Sequence, residues 1–154
     1  MCSSDLSWLK PEFASSMAGT YVGFGFGAIQ GGVFLPHARA SGRFDRLVVA
    51  EIDSSVVEGV RAGGGSYCCN VAHADRVEFV TVDGVEVLDP TNADDREVLV
   101  SALSEAGEIG TAIPSFLSYD AEPAPVARLL AEGLTDRKST RLNSSHLVIS
   151  YAVF

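Results

Sequence analysis

The chain predicts an α/β fold in which a doubly wound, largely parallel sheet carries helices on both faces. Three observations lead there. An apolar run from Thr20 to Phe24 enters a glycine cluster, and a helix-compatible pattern leaves it. A second apolar run ends at Glu51, and a third, over 108–113, stops at Pro114-Ser115. Short apolar strands alternating with helical stretches are what a sheet buried on both faces requires.

The first strand feeds the turn Gly25-Phe-Gly27-Ala-Ile-Gln30, of the form G-x-G-x-x-Q. Glycine at the first position lets the turn be tight, and at the second it lets a ligand approach the backbone. The helix that follows offers unpaired N–H groups and a partial positive charge. Strand, glycine turn and helix in that order suit the diphosphate of a dinucleotide. This helix is expected over 28–40, with Ile29, Val33 and Pro36 or His37 on its inner face. Gly32 would allow close approach to the sheet, and Pro36, which lacks an N–H, would kink the helix. His37 reads as a surface residue.

Residues 46–51 form the second strand. It ends in Glu51, about 20 residues beyond Gly31, where a dinucleotide site places the carboxylate that bonds the adenosine ribose. A carboxylate there repels a 2′-phosphate, so NAD is expected in preference to NADP. Asp53 stands beside it and in a position to cap the next helix, and Ser55-x-x-Glu58 has the form of a capping box. That helix is expected to reach Ala62 and stop at Gly63-Gly-Gly65. Three β-rich pieces follow, over 67–71, 77–82 and 85–88, and Asp83-Gly84 predicts an inserted β-hairpin between the last two. Asn92 caps a helix over 93–106 with Val98, Leu99, Ala102 and Leu103 inward. The strand over 108–113 ends on the same sheet edge as the glycine turn, where ligands of such sheets sit. Pro123 or Pro125 opens a last helix, with Val126, Leu129 and Leu130 inward and Gly133 as its stop.

Neither end of the chain reads as part of that fold. Residues 1–6 and 136–154 are similar, codon by codon, to conceptual translations of a short-read sequencing adapter, with Leu147 and Val148 as index bases. They are set aside as tags and fusion scars are. The native stretch is then expected over 7–135, a partial domain truncated on its C-terminal side, with 7–16 as a frayed lead-in. Its sheet would hold four parallel strands and the hairpin, with a bare edge.

With 20 acidic against 11 basic residues the net charge is −9. Such a surface disfavours nucleic acid and anionic membrane as partners. No apolar run approaches about 18 residues and no leader pattern is present, so a soluble, cytoplasmic protein is expected. Cys2 lies in the adapter-like head. Cys68 and Cys69 are adjacent, lack metal-ligand spacing and read as reduced strand residues. His73 sits in a turn with no second ligand at coordinating spacing, so no metal is expected.

Four segments together resemble the N-terminal, Rossmann-like domain of the mannitol dehydrogenase family of polyol-specific long-chain dehydrogenases. They are Phe24-Gly-Phe-Gly-Ala-Ile-Gln-Gly-Gly32, Val49-Ala-Glu-Ile-Asp53, Tyr67 and Ile109-Gly-Thr-Ala-Ile113. The likeness spans about Thr20 to Leu134, and the family tolerates other residues where the third glycine would stand. It implies that Gly25, Phe26, Gly27, Ala28, Ile29 and Gln30 meet the NAD pyrophosphate and Glu51, with Asp53 beside it, the ribose. Thr111 and Ala112 would line the path toward the nicotinamide. The implied chemistry is hydride transfer between NAD and a polyol or polyol phosphate, without a metal. A proton must leave the hydroxyl as the hydride departs. The family's base is a lysine, supported by asparagine and histidine on a helical C-terminal domain. The native stretch carries a single lysine, Lys10, ahead of the first strand, so no catalytic residue is assigned and the chain is expected to bind cofactor without turnover.

Two other classes share some of these features. An S-adenosylmethionine-dependent methyltransferase also pairs a glycine turn with an acid after the second strand, but has an acid just before the glycines, where this chain has Tyr21-Val22. A non-catalytic dinucleotide-sensing module would need no base.

Overall fold

The structure, a computed structural model, describes residues 19–136 and 148–151. The adapter-like head, Lys10, the lead-in and most of the adapter-like tail lie outside the described residues. Five strands form the main sheet: β1 (Gly19–Phe24), β2 (Phe44–Ala50), β5 (Val85–Leu88), β6 (Ala106–Thr111) and β7 (Val148–Tyr151). Their spatial order is β5-β2-β1-β6-β7, and every pairing is parallel. The order reverses direction at β1, whose neighbours β2 and β6 lead to opposite edges, which makes this a Rossmann-like doubly wound sheet. The β1 and β2 runs are buried almost throughout, because both faces of these strands are covered. Val22, Phe24, Val48, Ala50 and Ile109 pack with Leu99, Leu103 and Leu129 from α3 (Ala93–Glu105) and α4 (Val126–Asp136). On the other face, Tyr21, Leu47 and Val49 pack with Leu35 and Ala38 of the first helix and with Val57 and Val60 of α2 (Ser54–Ala62).

The first helix does cover 28–40, and Pro36 does not break it. A π-helical segment (Gln30–Phe34) runs directly into α1 (Leu35–Ala40), and the Leu35 N–H donates to the Gln30 carbonyl, five residues back. Widening the coil ahead of the proline eases its ring past the preceding turn. The same widening overturns the expected inner face. The inward step lengthens from four residues to five, so Gln30, Gly31, Leu35 and Ala38 are buried while Val33, Gly32 and His37 are exposed.

The hairpin is also misplaced by the sequence rule. It joins β3 (Tyr67–Ala72) to β4 (Val77–Val82) in an antiparallel ribbon, not β4 to β5. Val85, Val87 and Leu88 are buried beside β2 in the main sheet, and that burial outweighs the turn preference of Asp83-Gly84. The Arg39–Asp83 ion pair, at 2.5 Å, tethers the Asp-Gly link to the first helix. His73 lies in the β3–β4 turn, bonded to Glu78 at 2.8 Å, and Cys68 and Cys69 on β3 are free thiols.

Three smaller expectations are corrected. Asp53 caps α2 as expected, accepting from the Ser55 N–H at 2.9 Å, but Ser55 lies inside the helix and is not the cap of a Ser55-x-x-Glu58 box. Gly133 does not stop the last helix; it lies inside α4, where a Cβ would strike the Leu103 side chain, so glycine lets α3 and α4 pack closely. The native stretch does hold four parallel strands and a hairpin, but the edge beyond β6 is not bare, because β7 from the adapter-like tail pairs with it.

Candidate functional site

The carboxyl ends of the parallel strands are laced together by backbone hydrogen bonds. The Gly25 N–H donates to the Ala50 carbonyl at 2.9 Å, and Ala112 to Phe24 at 3.0 Å. Glu51 donates to Leu88, also at 2.9 Å. Three strand ends and the glycine turn therefore meet at one place. A cavity of about 600 Å³ opens there, within the range of small-molecule and cofactor sites.

Gly25 has φ of +79°, and a Cβ on it would stand 2.8 Å from the Ala112 carbonyl oxygen. Both the left-handed turn and the adjoining strand end demand glycine here. A Cβ on Gly27 would meet nothing within 4 Å, although Gly27 lines the cavity, so the backbone is bare toward the open space. Ala28 and Ile29 line the same wall and open the first helix, where N–H groups have no earlier turn to bond. The Phe26 ring packs edge-on to Tyr67 at 5.0 Å, and the Tyr67 hydroxyl donates to the Gly31 carbonyl at 2.7 Å. Burial raises the Tyr67 pKa further above the ordinary phenol value.

Glu51 sits opposite the turn. Its Oε2 accepts from the Phe26 N–H at 2.6 Å, and its Oε1 accepts from the Ile52 and Asp53 N–H groups at 2.8 and 2.9 Å. One carboxylate thus ties the β1 turn to the β2 turn. Pro90, Ile113 and Pro114 add apolar surface, and the loop after β6 closes the wall with Ser118 and Glu122. Among the described residues, the lining includes Glu51 and Glu122 and no lysine, arginine or histidine.

Of the residues singled out in the sequence, Gly25, Phe26, Gly27, Ala28, Ile29, Glu51 and Ala112 come together around this cavity. Three do not line it. Asp53 points its carboxylate back to Ser55 as the α2 cap, and the Ser55 hydroxyl holds its pKa below the usual value. Thr111 is buried, its hydroxyl 2.6 Å from that of Tyr119, so it anchors the loop that walls the cavity. Gln30 is fully buried beneath the helix, with Nε2 donating to the Tyr21 hydroxyl at 2.9 Å.

The position of Gln30 explains the departure from three glycines. In a G-x-G-x-x-G turn the last glycine permits close helix–strand packing. Here the space comes from the strand: a Cβ on Gly23 would lie 2.6 Å from Gln30 Cδ, closer than real side chains approach. Gly110 likewise makes room for the Tyr21 hydroxyl. Burial raises the Tyr21 pKa to about 12, the Gln30 bond opposing and the Glu108 charge adding to the rise. Reading along the sequence misses this pairing, because Gly23 and Gly110 look like ordinary strand residues; a glycine within each otherwise apolar strand was the available signal. The wall formed by Pro90, Ser118 and Glu122 carried no sequence signal.

The cavity thus brings together a bare glycine backbone, a helix N-terminus and a carboxylate on the neighbouring strand end. Among the described residues no helix is long and apolar enough to cross a membrane. No protein-family model and no curated protein matches this chain.

Proposed function

We propose that the chain is the NAD-binding part of an oxidoreductase of the mannitol dehydrogenase type, most like mannitol-1-phosphate 5-dehydrogenase. It would act on a polyol or polyol phosphate in the cytoplasm. The observation that carries the proposal is the cavity at the switch point of the sheet, with the Gly25–Gly27 turn on one side and Glu51 on the other. The N–H groups of Gly27, Ala28 and Ile29 would hold the diphosphate, and Glu51 the adenosine ribose. Ala112 and the loop beyond it would face the nicotinamide, which supplies hydride acceptance when bound. With no cation in the lining among the described residues, the phosphate charge would be met there by amides, and Glu51 would disfavour an additional 2′-phosphate. No lysine lies among residues 19–136, so no group there is assigned as the base, and the chain by itself is expected to bind without turning over.

Titration of the 154-residue chain with NADH, followed by nicotinamide fluorescence, tests this reading. Saturable binding that Glu51→Ala weakens roughly 10-fold or more, the scale of a lost bond to a charged group, is the expected result. Binding of S-adenosylmethionine in place of NADH would transfer the site to the methyltransferase class. NADH binding indifferent to Glu51→Ala would refute the assignment of the carboxylate.

A further inference from the structure

A second hollow, of about 360 Å³, opens on the α1 face of the sheet, beside β6, and shares no lining residue with the strand-end cavity. Its volume lies at the lower end of small-molecule sites. Three aromatic rings line it. Tyr21 and Phe44 meet edge-on with centroids 5.7 Å apart, and Phe34 closes on Gly110, where a Cβ would stand 3.2 Å from its ring. Two opposite charges share the lining. The Arg43 N–H donates to Ser41 Oγ at 3.2 Å, and the Arg43 carbonyl accepts from the Gly19 N–H at 3.1 Å. Ser41 is itself fixed to the Ala38 carbonyl at 2.7 Å, and the Arg43 guanidinium lies 5.5 Å from the Phe44 ring centroid. Glu108 enters from β6, level with Tyr21 in the strand pairing, and its charge helps raise the Tyr21 pKa, so the carboxylate stands over the same floor. Among the described residues neither Arg43 nor Glu108 has an ion-pair partner, whereas Arg39, Arg46, Arg61, Arg76 and Arg96 each have one. His37 stands exposed in the same lining.

From this arrangement we infer that the hollow binds a free α-amino acid with an apolar or aromatic side chain. Its carboxylate would turn to Arg43, its ammonium to Glu108, and its side chain to the Phe34 and Phe44 rings. The two unpaired charges select for a zwitterion. A phosphate or other dianion would bring excess negative charge against Glu108, and a simple cation would meet Arg43. A wholly apolar ligand would strip water from both charged groups and give nothing in exchange. The aromatic walls then favour an apolar side chain over a polar one, since they bury its surface without offering it a hydrogen bond. The site makes no use of the dinucleotide reading and stands or falls apart from it.

Isothermal titration calorimetry on the 154-residue chain tests this with three probes. They are phenylalanine, phenethylamine, which lacks the carboxylate, and 3-phenylpropionate, which lacks the ammonium. Phenylalanine is expected to bind saturably, with Kd on the order of 1 mM or tighter. Each analogue should bind roughly 5-fold or more weakly, the scale of an ion pair at a partly exposed site. Arg43→Gln should abolish the preference over phenethylamine and keep that over 3-phenylpropionate, and Glu108→Gln should do the reverse. Neither side chain belongs to the core, so both variants should unfold in urea as the parent does. Should either fail to fold, the ranking of the three probes on the unsubstituted chain decides alone. No binding of phenylalanine, equal affinity for all three probes, or preferences that survive both substitutions would each overturn the inference. A dimer, seen by sedimentation, that both substitutions dissociate would give the hollow to a second copy of the chain and overturn it as well.

Discussion

Substituting Gly23 with alanine should destabilise the protein through one side chain. The added Cβ would lie 2.6 Å from Gln30 Cδ and 3.1 Å from Oε1, with Nε2 nearer still. Gln30 has no exposed surface and sits beneath the helix, so it has no route to solvent by which to step aside. Moving it also breaks the 2.9 Å bond to the Tyr21 hydroxyl. Overpacking a filled core costs about 1–3 kcal/mol, and a lost internal hydrogen bond about 1 kcal/mol. Gly23 has an ordinary negative-φ strand conformation, so alanine also stabilises by roughly 0.4–1 kcal/mol through the unfolded chain. The steric cost dominates, leaving a net loss of about 1–3 kcal/mol.

Urea unfolding followed by circular dichroism measures that loss, and a second substitution isolates its cause. The three clashing atoms all lie beyond the Gln30 Cβ. Gln30→Ala removes them together, along with an Oε1 that has no partner in the buried site. In the Gln30→Ala background, Gly23→Ala should therefore be close to neutral, giving a coupling of about 1–3 kcal/mol between the two positions. If Gly23→Ala cost the same in both backgrounds, the exchange of volume between strand and helix would be refuted. A loss below about 0.5 kcal/mol in the wild-type background, within the range of ordinary surface changes, would refute it too.

Other consequences can be checked with the same unfolding assay. Tyr21 is neutral and buried, and its native pKa is raised from 10.0 to about 12. The stability it contributes is complete below pH 10 and is lost as the pH climbs to about 12; Tyr21→Phe should remove that alkaline decline, and an unchanged profile would count against it. Asp53 titrates in the opposite sense, its native pKa lowered by the Ser55 hydroxyl. Its contribution is present above the ordinary aspartate value and vanishes as the pH falls through the lowered one, so Asp53→Asn should flatten the acid limb of the stability curve. Gly133→Ala sets a Cβ against Leu103, with Cδ1 at 3.2 Å and Cγ at 3.3 Å. The roughly 1 kcal/mol helix-propensity gain should be outweighed by about 1–3 kcal/mol of overpacking, and a more stable variant would show that α3 and α4 can separate.

The parts of the site that were legible from the sequence are those governed by rules of short range. Gly25 and Gly27 announce a turn because the backbone conformation and the open approach are properties of single residues. Glu51 is legible because the length of one β-α-β unit sets its distance from the turn. The buried strands β1 and β2 are legible in the same way, since their hydrophobic runs mark positions covered on both faces. What was not legible depends on volumes shared across elements. The clash between Gly23 and Gln30 spans strand and helix, and the hairpin partner of β4 was decided by where Val85, Val87 and Leu88 find burial, not by the Asp83-Gly84 dipeptide.

The first helix shows how one local departure propagates to the site. Its polar and apolar residues were assigned faces on the assumption of an uninterrupted α-helical period. Pro36 breaks that assumption several residues ahead of itself, because the coil widens upstream to accommodate the ring. The five-residue step then turns Gln30 inward to the Tyr21 hydroxyl, and Gly23 must be glycine to receive it. With Gln30 withdrawn, only Gly27, Ala28 and Ile29 of the helix entry face the cavity, beside a Phe26 amide already committed to Glu51. The proline, a residue that does not line the cavity, thereby limits which backbone groups face it.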